Sequence, residues 1–568
     1  MRNSRTLARS GSFALALLAA AVLTACGGGG GDDAGGSQAK AATPNTTTAT
    51  PGTSSPSSPA GPVTTTSLVT PACSGCGTVD ATTYAGSGVG VWQTINASAA
   101  AIDVPVSIAG VNGQDVTLVF TNQTAVPQPM PSISLTASYY WSVAESQLRW
   151  ASDAELDKTR IGEFNREGWT GLANKGAAPN RSLIGGPSRS VVNDIKTWYH
   201  SDNSARTATL VRQRTASDGT TINFWVENAE NDPTKVSSTI LDALDAGFVS
   251  AGKIYDMLKS VGGPMWGTHS YSNLISPTGQ PIDIVVLNFD HNNTPFGMVG
   301  YFFARNALVR DASNPYSNES VSLYLDSETL YKGGAAGLKA MLMTMAHEGM
   351  HMQNFYRRGV VGGPAYQFDT WLEEATAMMM EDFASHAIDP TYNNVRDVRF
   401  PDFVRYAGGS YNCSLLDWTP FGASCDSYAV SGSLGGYLDR QLGLGFYKNL
   451  LANLTTTDSV AALDAAIKTV APSSSFTDQL RRFTVTASSL MPAAASPTGF
   501  GFPARVDGGF SLPVIDPPTL APYRTLTQAV PATLQPYASL PVVRKAIKGT
   551  YTETVKVPAG TTLSIVIQ

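Results

Sequence analysis

Residues 341–381, MLMTMAHEGMHMQNFYRRGVVGGPAYQFDTWLEEATAMMME, contain the pattern that decides how the rest of the chain is interpreted. Residues 347–351 read H-E-G-M-H and so match the H-E-x-x-H motif. Residues four apart on a helix share one face, so His347 and His351 can direct two imidazole nitrogens at one point, about 2 Å away from each, where a zinc ion would bind. Glu348 lies beside that point and can accept a proton from a water on the metal.

Two histidines do not complete a zinc site, and the sequence WLEEA at residues 371–375 offers a third ligand. Residues 371–383 are predicted to form an amphipathic helix because apolar side chains recur at helical spacing: Leu372, Ala375, Met379 and Phe383. A glutamate in such a helix is costly to bury unless a positive group meets it. From the residues alone, both Glu373 and Glu374 are candidates.

The helical context of the first motif supports the metal hypothesis over an ordinary helix with two hydrogen-bonded histidines. The chain has only 6 histidines in 568 residues, so the motif arises by chance in roughly a few chains per thousand of this composition. Residues 335–358 carry apolar side chains at core spacing, at Leu338, Leu342 and Met345. We predict that this helix ends at Gly359, because Gly362-Gly363-Pro364 prevents its extension.

The motifs HEGMH and WLEEATA together resemble those of the glutamate-ligand zinc peptidases, and of the hyicolysin family in particular. In that family the second motif commonly reads W-L-N-E-G, and its glutamate is the third metal ligand. That glutamate corresponds to Glu374, whereas Glu373 stands in place of the asparagine and Ala375 in place of the glycine. The two departures concern the choice between Glu373 and Glu374, and the resemblance favours Glu374.

The resemblance implies an enzyme, a zinc metalloendopeptidase, that hydrolyses a protein or peptide substrate. One catalytic Zn²⁺ would be held by His347, His351 and Glu374, with Glu348 as the general base. The implied fold class is α+β, with a zincin-like metallopeptidase domain that has a mixed sheet lobe and a helical lobe. Small N- and C-terminal β domains are predicted to flank it.

Two further roles follow from the resemblance alone. Tyr428, at the start of a predicted helix, is a candidate donor to the oxyanion that develops during hydrolysis, and the alternative is a buried core tyrosine. Residues 297–303 (GMVGYFF) are a candidate edge strand that would pair with an extended substrate through its backbone.

The remaining organisation follows from composition and periodicity. Residues 221–227, 281–289, 297–303 and 320–325 resemble strands, residues 240–261 resemble one helix, and residues 551–568 resemble a hairpin around Pro558-Ala559-Gly560. The predicted boundaries are a lipoprotein signal peptide at 1–25, a disordered Gly/Ser/Thr/Pro tether at 26–72, a β-sandwich-like module at 73–165, the metallopeptidase domain at 166–496 and a C-terminal β domain at 497–568.

The N-terminus resembles that of a bacterial lipoprotein. A basic start, a short apolar run and the sequence LTAC at residues 23–26 predict cleavage before Cys26 and lipid attachment to its thiol. The alternative is an ordinary signal peptide with an incidental cysteine. Gly27 follows where an inner-membrane retention signal would place aspartate, which favours the outer membrane. We therefore expect a lipid-anchored protein of the cell envelope, or one released outside the cell.

The cysteines and the charge support export. Cys73/Cys76 and Cys413/Cys425 form two local pairs, and an even number in an exported chain predicts disulfides. A formal net charge of −6 with 14% charged residues provides no basic surface for nucleic acid. The membrane is therefore expected as a partner only through the lipid anchor.

Two other functions remain open from the sequence. The chain would be a non-catalytic surface adhesin if the metal site were vestigial, although Glu348 is then expected to be lost. It would be a zinc amidase if it acted on cell-wall peptides, and a substrate profile would distinguish this activity from general proteolysis.

Overall fold

The computed structural model describes residues 67–135, 153–173, 190–406, 409–420 and 425–568. The predicted signal peptide, Cys26 and most of the tether lie outside the described residues. Residues 67–72, assigned to the end of the tether, are described, and Thr70 and Pro71 pair with a strand while Val69 is buried. The last residues of the predicted tether therefore belong to the folded body.

Over the described residues the chain forms fifteen strands and eleven α-helices. The strands are β1 (Thr70–Pro71), β2 (Gly90–Asn96), β3 (Ile102–Asn122), β4 (Gln128–Pro129), β5 (Ile195–Tyr199), β6 (Ala205–Thr215), β7 (Thr221–Glu227), β8 (Ile282–Leu287), β9 (Gly300–Phe302), β10 (Val321–Asp326), β11 (Arg505–Asp507), β12 (Phe510–Leu512), β13 (Thr533–Leu534), β14 (Ser539–Val557) and β15 (Thr561–Ile567). The helices are α1 (Asp153–Glu163), α2 (Trp169–Ala173), α3 (Ser238–Phe248), α4 (Ile254–Gly262), α5 (Ser327–Lys332), α6 (Gly334–Asn354), α7 (Thr370–Ile388), α8 (Phe400–Arg405), α9 (Ser427–Ala452), α10 (Ser459–Val470) and α11 (Phe476–Ser489).

A mixed sheet of six strands forms the upper lobe, in the order β5-β6-β7-β8-β10-β9. β8 is parallel to β7 and β10, and the other pairs are antiparallel. The four strands predicted between residues 221 and 325 are confirmed as β7, β8, β9 and β10. β9 is an edge strand, as predicted for residues 297–303, and β5 forms the opposite edge. The α+β class with a mixed sheet lobe and a helical lobe is thus confirmed.

The helix that carries the H-E-x-x-H motif is central rather than amphipathic. α6 contacts α3, α4, α7, β9 and β10, and every residue from Ala340 to Asn354 is buried. α7 is likewise buried without a break from Glu374 to Ser385. The prediction of an amphipathic second helix is therefore wrong, because neighbouring elements cover this stretch of α7 on all sides.

Two helix boundaries also differ from the prediction. Residues 240–261 form two helices, α3 and α4, separated by a turn in which Gly252 has a φ of +73°. The helical path of α6 passes Gly359 through a π turn, Phe355–Gly362, and ends where Gly363 adopts a φ of +107°. A positive φ favours glycine, so the helical path ends at Gly363, the second residue of the Gly362-Gly363 pair. It does not end at Gly359, as predicted.

A buried ion pair joins the second motif helix to α9. Arg440 of α9 donates to both carboxylate oxygens of Asp382 of α7, at 2.5 and 3.3 Å, and both side chains are fully buried. Asn393 donates to Asp382 at 2.6 Å, and Arg440 also donates to the carbonyl of Pro513 at 3.0 Å. The two side chains thus satisfy each other's charge where neither reaches water. The pair fixes α7, which carries Glu373 and Glu374, to α9.

Arg440→Ala is expected to lower the free energy of unfolding by about 3–5 kcal/mol, because Asp382 would remain buried without its counter-charge. Arg396→Ala is the matched control: its pair with Asp397 is partly exposed, so a change of about 0–1 kcal/mol is expected. Urea unfolding of both variants measures the difference. Equal losses would contradict a structural role of the buried pair.

The N- and C-terminal β regions share one antiparallel sheet, in the order β1-β2-β15-β3-β14. The long strands β3 and β14 pair along most of their length. β15 lies between β2 and β3, so β14 and β15 are not neighbours and the predicted hairpin at residues 551–568 is wrong. All seven residues of β15 are buried, and they pair with β2 on one side and with β3 on the other. An isolated hairpin would give β15 a partner strand on one side only.

This β module packs on the helical lobe through one face. Val91, Val119 and Val566 of the sheet share an apolar cluster with Val485 of α11, and the hydroxyls of Thr121 and Thr484 are hydrogen-bonded at 2.7 Å. Both predicted disulfides form, between Cys73 and Cys76 and between Cys413 and Cys425. Among the helices of the described residues, none combines the length and apolar character of a membrane span.

Candidate metal centre

Close packing of α6 places the two motif histidines. His347 and His351 lie one turn apart with ring centroids 4.7 Å from each other, and their side chains are 0% and 5% exposed. Between them, Gly349 faces α4. A Cβ atom at that position would lie 2.5 Å from a Leu258 methyl group, so any larger residue would push α6 away from α4. The glycine of HEGMH therefore sets the position of the histidines.

Glu374 of α7 completes the group. One ligand atom from each of His347, His351 and Glu374 lies within 4.8 Å of the others. The Nε2 atom of His347 is 3.2 Å from Oε2 of Glu374, and that of His351 is 3.7 Å from Oε1. These four atoms are buried and form no hydrogen bond with the described residues. Of the two candidate glutamates, Glu374 is therefore the one that faces both histidines.

Each histidine is held by a carboxylate on its other nitrogen. Nδ1 of His347 is 2.7 Å from Oε1 of Glu381, and Nδ1 of His351 is 2.9 Å from Oε1 of Glu373. The Glu373 carboxylate is itself held by the amide of Asn354 at 3.0 Å. A carboxylate at Nδ1 fixes the tautomer that leaves Nε2 free to bind a metal. Glu373 thus orients the imidazole of His351, whereas the adjacent Glu374 offers its own carboxylate to a metal.

Glu381 is anchored by two residues that the sequence did not indicate. Arg399 donates to Oε2 of Glu381 at 3.3 Å, and the amide of Asn394 also donates to that oxygen. Burial raises the pKa of Glu381 to about 7, and the Arg399 guanidinium opposes this rise. The one sequence signal for Glu381 is its spacing: seven residues after Glu374, it lies two turns along the same helix face.

Glu348 is directed towards the same space by the edge strand. The backbone N–H of Phe302 donates to its Oε2 at 2.8 Å, while its Oε1 is buried and forms no hydrogen bond to a described residue. Burial raises the pKa of Glu348 to about 7, although the Phe302 N–H and the charge of the buried Lys158 oppose the rise. One oxygen is therefore fixed, and the other can accept a proton near neutral pH.

The residues present fit a divalent cation. Three fully buried carboxylates, those of Glu348, Glu374 and Glu381, lie around two histidines, and burial raises the pKa of each. A cation bound by the unbonded Nε2 and carboxylate atoms would offset this cost. Two imidazoles and one carboxylate with Nδ1-bound carboxylates behind them are the ligand set of catalytic zinc sites.

A small cavity of about 40 Å³ borders the group. His351, Glu373 and Glu374 line it from the motif helices, and Asn165 and Arg166 line it from the segment that follows α1. A bound water needs about 10–15 Å³ of such space, so the cavity holds a few waters and no peptide.

Tyr428 lies on the side of the site defined by Nδ1 of His347. Its ring is 1% exposed, 4.8 Å from the ring of Trp418, and the Arg399 guanidinium lies 5.4 Å from its centroid. Arg399 in turn contacts Glu381, which contacts His347. The structure thus brings His347, Glu348, His351 and Glu374 together. Arg399 and Glu381 connect Tyr428 to this group. The role of Tyr428 as an oxyanion donor stays a prediction.

Comparisons with known proteins agree with this geometry. Residues 71–135 match a domain of unknown function, DUF8571. The neutral metalloprotease ShpI of Staphylococcus hyicus is 29% identical over 196 residues, which cover 33% of this chain and 41% of that protein. The chain thus spans about two-fifths of the length of the curated relative that it matches. Residues 202–568, well over half of the chain, match the family described as Peptidase M30. Together with the convergence of the two sequence motifs, this match shows that the chain belongs to the peptidase M30 family.

Proposed function

We propose that the chain is a zinc-dependent endopeptidase that hydrolyses protein substrates outside the cytoplasm. The observation that carries the proposal is the group of buried Nε2 and carboxylate atoms of His347, His351 and Glu374, which meet without hydrogen bonds of their own. These three residues would hold the ion, and Glu373 and Glu381 would orient the two imidazoles. Family membership and the likeness to a neutral metalloprotease support the same reaction.

Glu348 is the proposed general base. Zinc bound at this site would supply a Lewis acid that polarises a carbonyl and acidifies water. The fixed Oε2 of Glu348 leaves Oε1 to take the proton of the attacking water, and the protonated carboxyl can then give that proton to the leaving amine. In the protein without metal, burial raises the pKa of Glu348, which favours uptake of the proton in the first step. The buried surroundings exclude bulk water from this transfer.

Removal of the metal is expected to abolish peptide hydrolysis, and zinc is expected to restore it. The measurement is casein clearing, followed by digestion of an unbiased peptide library, before dialysis against a chelator, after it, and after zinc is added back. Magnesium is the control, because this ion prefers oxygen ligands and more of them than the site offers. Hydrolysis that persists in metal-free protein would contradict the proposal.

The location belongs to the same proposal: the protein would be attached to the cell envelope through lipid on Cys26. The two disulfides support an oxidising compartment. Wild-type protein is expected to partition into detergent, and Cys26→Ser to remain in the aqueous phase. Aqueous partitioning of both proteins would exclude the lipid anchor.

A further inference from the structure

The free side of the edge strand β9 is already covered by the chain itself. Asn165 lies in the π turn Phe164–Gly168, between α1 and α2. Its amide nitrogen donates to the carbonyl of Phe302 at 2.9 Å, and its amide oxygen accepts from the N–H of Ala304 at 2.7 Å. One side-chain amide therefore makes both hydrogen bonds that the backbone of an added strand would make there.

Aromatic contacts extend this cover on both sides of Asn165. The ring of Phe164 stands edge-on to that of Phe303 at 5.2 Å, and Trp169 stands edge-on to Phe355 at 5.1 Å. Phe303 follows β9, and Phe355 follows the metal-binding helix α6. The segment thus contacts the two elements that an extended peptide would have to reach to enter the site.

The same segment borders the cavity beside the metal group, and Lys158 of α1 is only 5% exposed. Asn165 and Arg166 also close one side of the cavity beside His351 and Glu374. That cavity has room only for a few waters, so no peptide fits into it while the segment is docked.

The segment is firmly docked, yet it lies outside the part of the chain that defines the family. Ser201 donates to Asp157 at 2.5 Å, Arg160 donates to the Ser201 carbonyl at 2.5 Å, and Ile161 is fully buried. The peptidase M30 match begins at residue 202. The segment therefore lies outside the matched residues, although it contacts β9 within them.

We propose that residues 153–173 are an autoinhibitory segment that occupies the peptide-binding surface along β9 and must be displaced before a substrate binds. This inference rests on the proposed peptidase function and names its regulation. The occupied surface fits an extended peptide, because it offers one carbonyl and one N–H on an edge strand with an aromatic ring on either side. The alternative is that the segment only protects a sheet edge and supports the fold.

The first experiment compares full-length Asn165→Ala with the wild type and with Glu163→Ala, an exposed control on the same segment. Loss of two hydrogen bonds to β9 should raise kcat/KM for a fluorogenic peptide about 10-fold, with zinc content and circular dichroism unchanged. Glu163→Ala should match the wild type. An unchanged or lower rate in Asn165→Ala, at equal zinc content, would overturn the proposal.

The second experiment needs no turnover. Hydrogen exchange of the wild-type zinc protein is followed with and without a saturating peptide hydroxamate, which binds the metal and extends along β9. Faster exchange across residues 153–173 would show displacement of the segment, and unchanged protection at saturation would overturn the proposal whatever the rates are. If no variant hydrolyses any peptide, the peptidase function fails, and the exchange result alone decides whether the segment is displaced.

Discussion

Glu348→Gln is expected to lower kcat for peptide hydrolysis by about 10²–10⁴-fold, the range lost when a general base is removed. Glutamine keeps the shape of the side chain, and its amide oxygen can still accept the hydrogen bond from Phe302. It cannot take a proton from the attacking water. Peptide binding and the bound metal should therefore persist while the chemical step slows.

The measurement pairs single-turnover hydrolysis with metal analysis of the same sample. Wild-type protein purified in parallel is the control for zinc content, and thermal unfolding shows that the fold is intact. Because Glu348 is not a member of the ligand group, its loss should leave the stoichiometry of zinc unchanged. Wild-type activity in a zinc-replete Glu348→Gln sample would remove the assignment of the general base.

Glu374→Ala is expected to abolish both zinc binding and hydrolysis, because it removes one of the three proposed protein ligands. Glu373→Ala is the matched control: the residues are adjacent, but Glu373 contacts Nδ1 of His351 and not the space between the two Nε2 atoms. Loss of such an orienting carboxylate costs about 10–100-fold in metal affinity. Glu373→Ala should therefore still bind zinc when zinc is supplied in excess over the protein.

Competition with a chromophoric chelator measures both zinc affinities on one scale. Circular dichroism is needed beside it, because Glu374 is fully buried and its removal changes the local charge. A greater loss of zinc in Glu373→Ala than in Glu374→Ala would transfer the third ligand to Glu373. The same result would require α7 to be rotated relative to its position in the structure.

Much of the site was predictable because it depends on local spacing. The four-residue interval between His347 and His351 places both on one helix face in any helix, whatever surrounds it. The strands β7, β8 and β10 were predictable for a similar reason, since short runs of β-branched and aromatic residues bounded by turns favour buried strands. These features need only the backbone geometry of a single element.

The division of roles between Glu373 and Glu374 was not predictable from the residues in the same way. Adjacent helix positions differ by about 100° around the axis, so the rotation of α7 against α6 decides which carboxylate faces the Nε2 atoms. The resemblance favoured Glu374, and the structure supplies the physical reason. Arg399 and Asn394 reach Glu381 from other elements, so no sequence interval connects them to the site.

By itself, the sequence determined the pair of histidines, the candidate general base between them and the type of element that carries them, because each depends on neighbours within one or two turns. Only the tertiary structure decided that β15 lies between β2 and β3, and that Asn165 covers β9. Those contacts join residues more than one hundred positions apart, and close packing of the whole chain, rather than local preference, selects them.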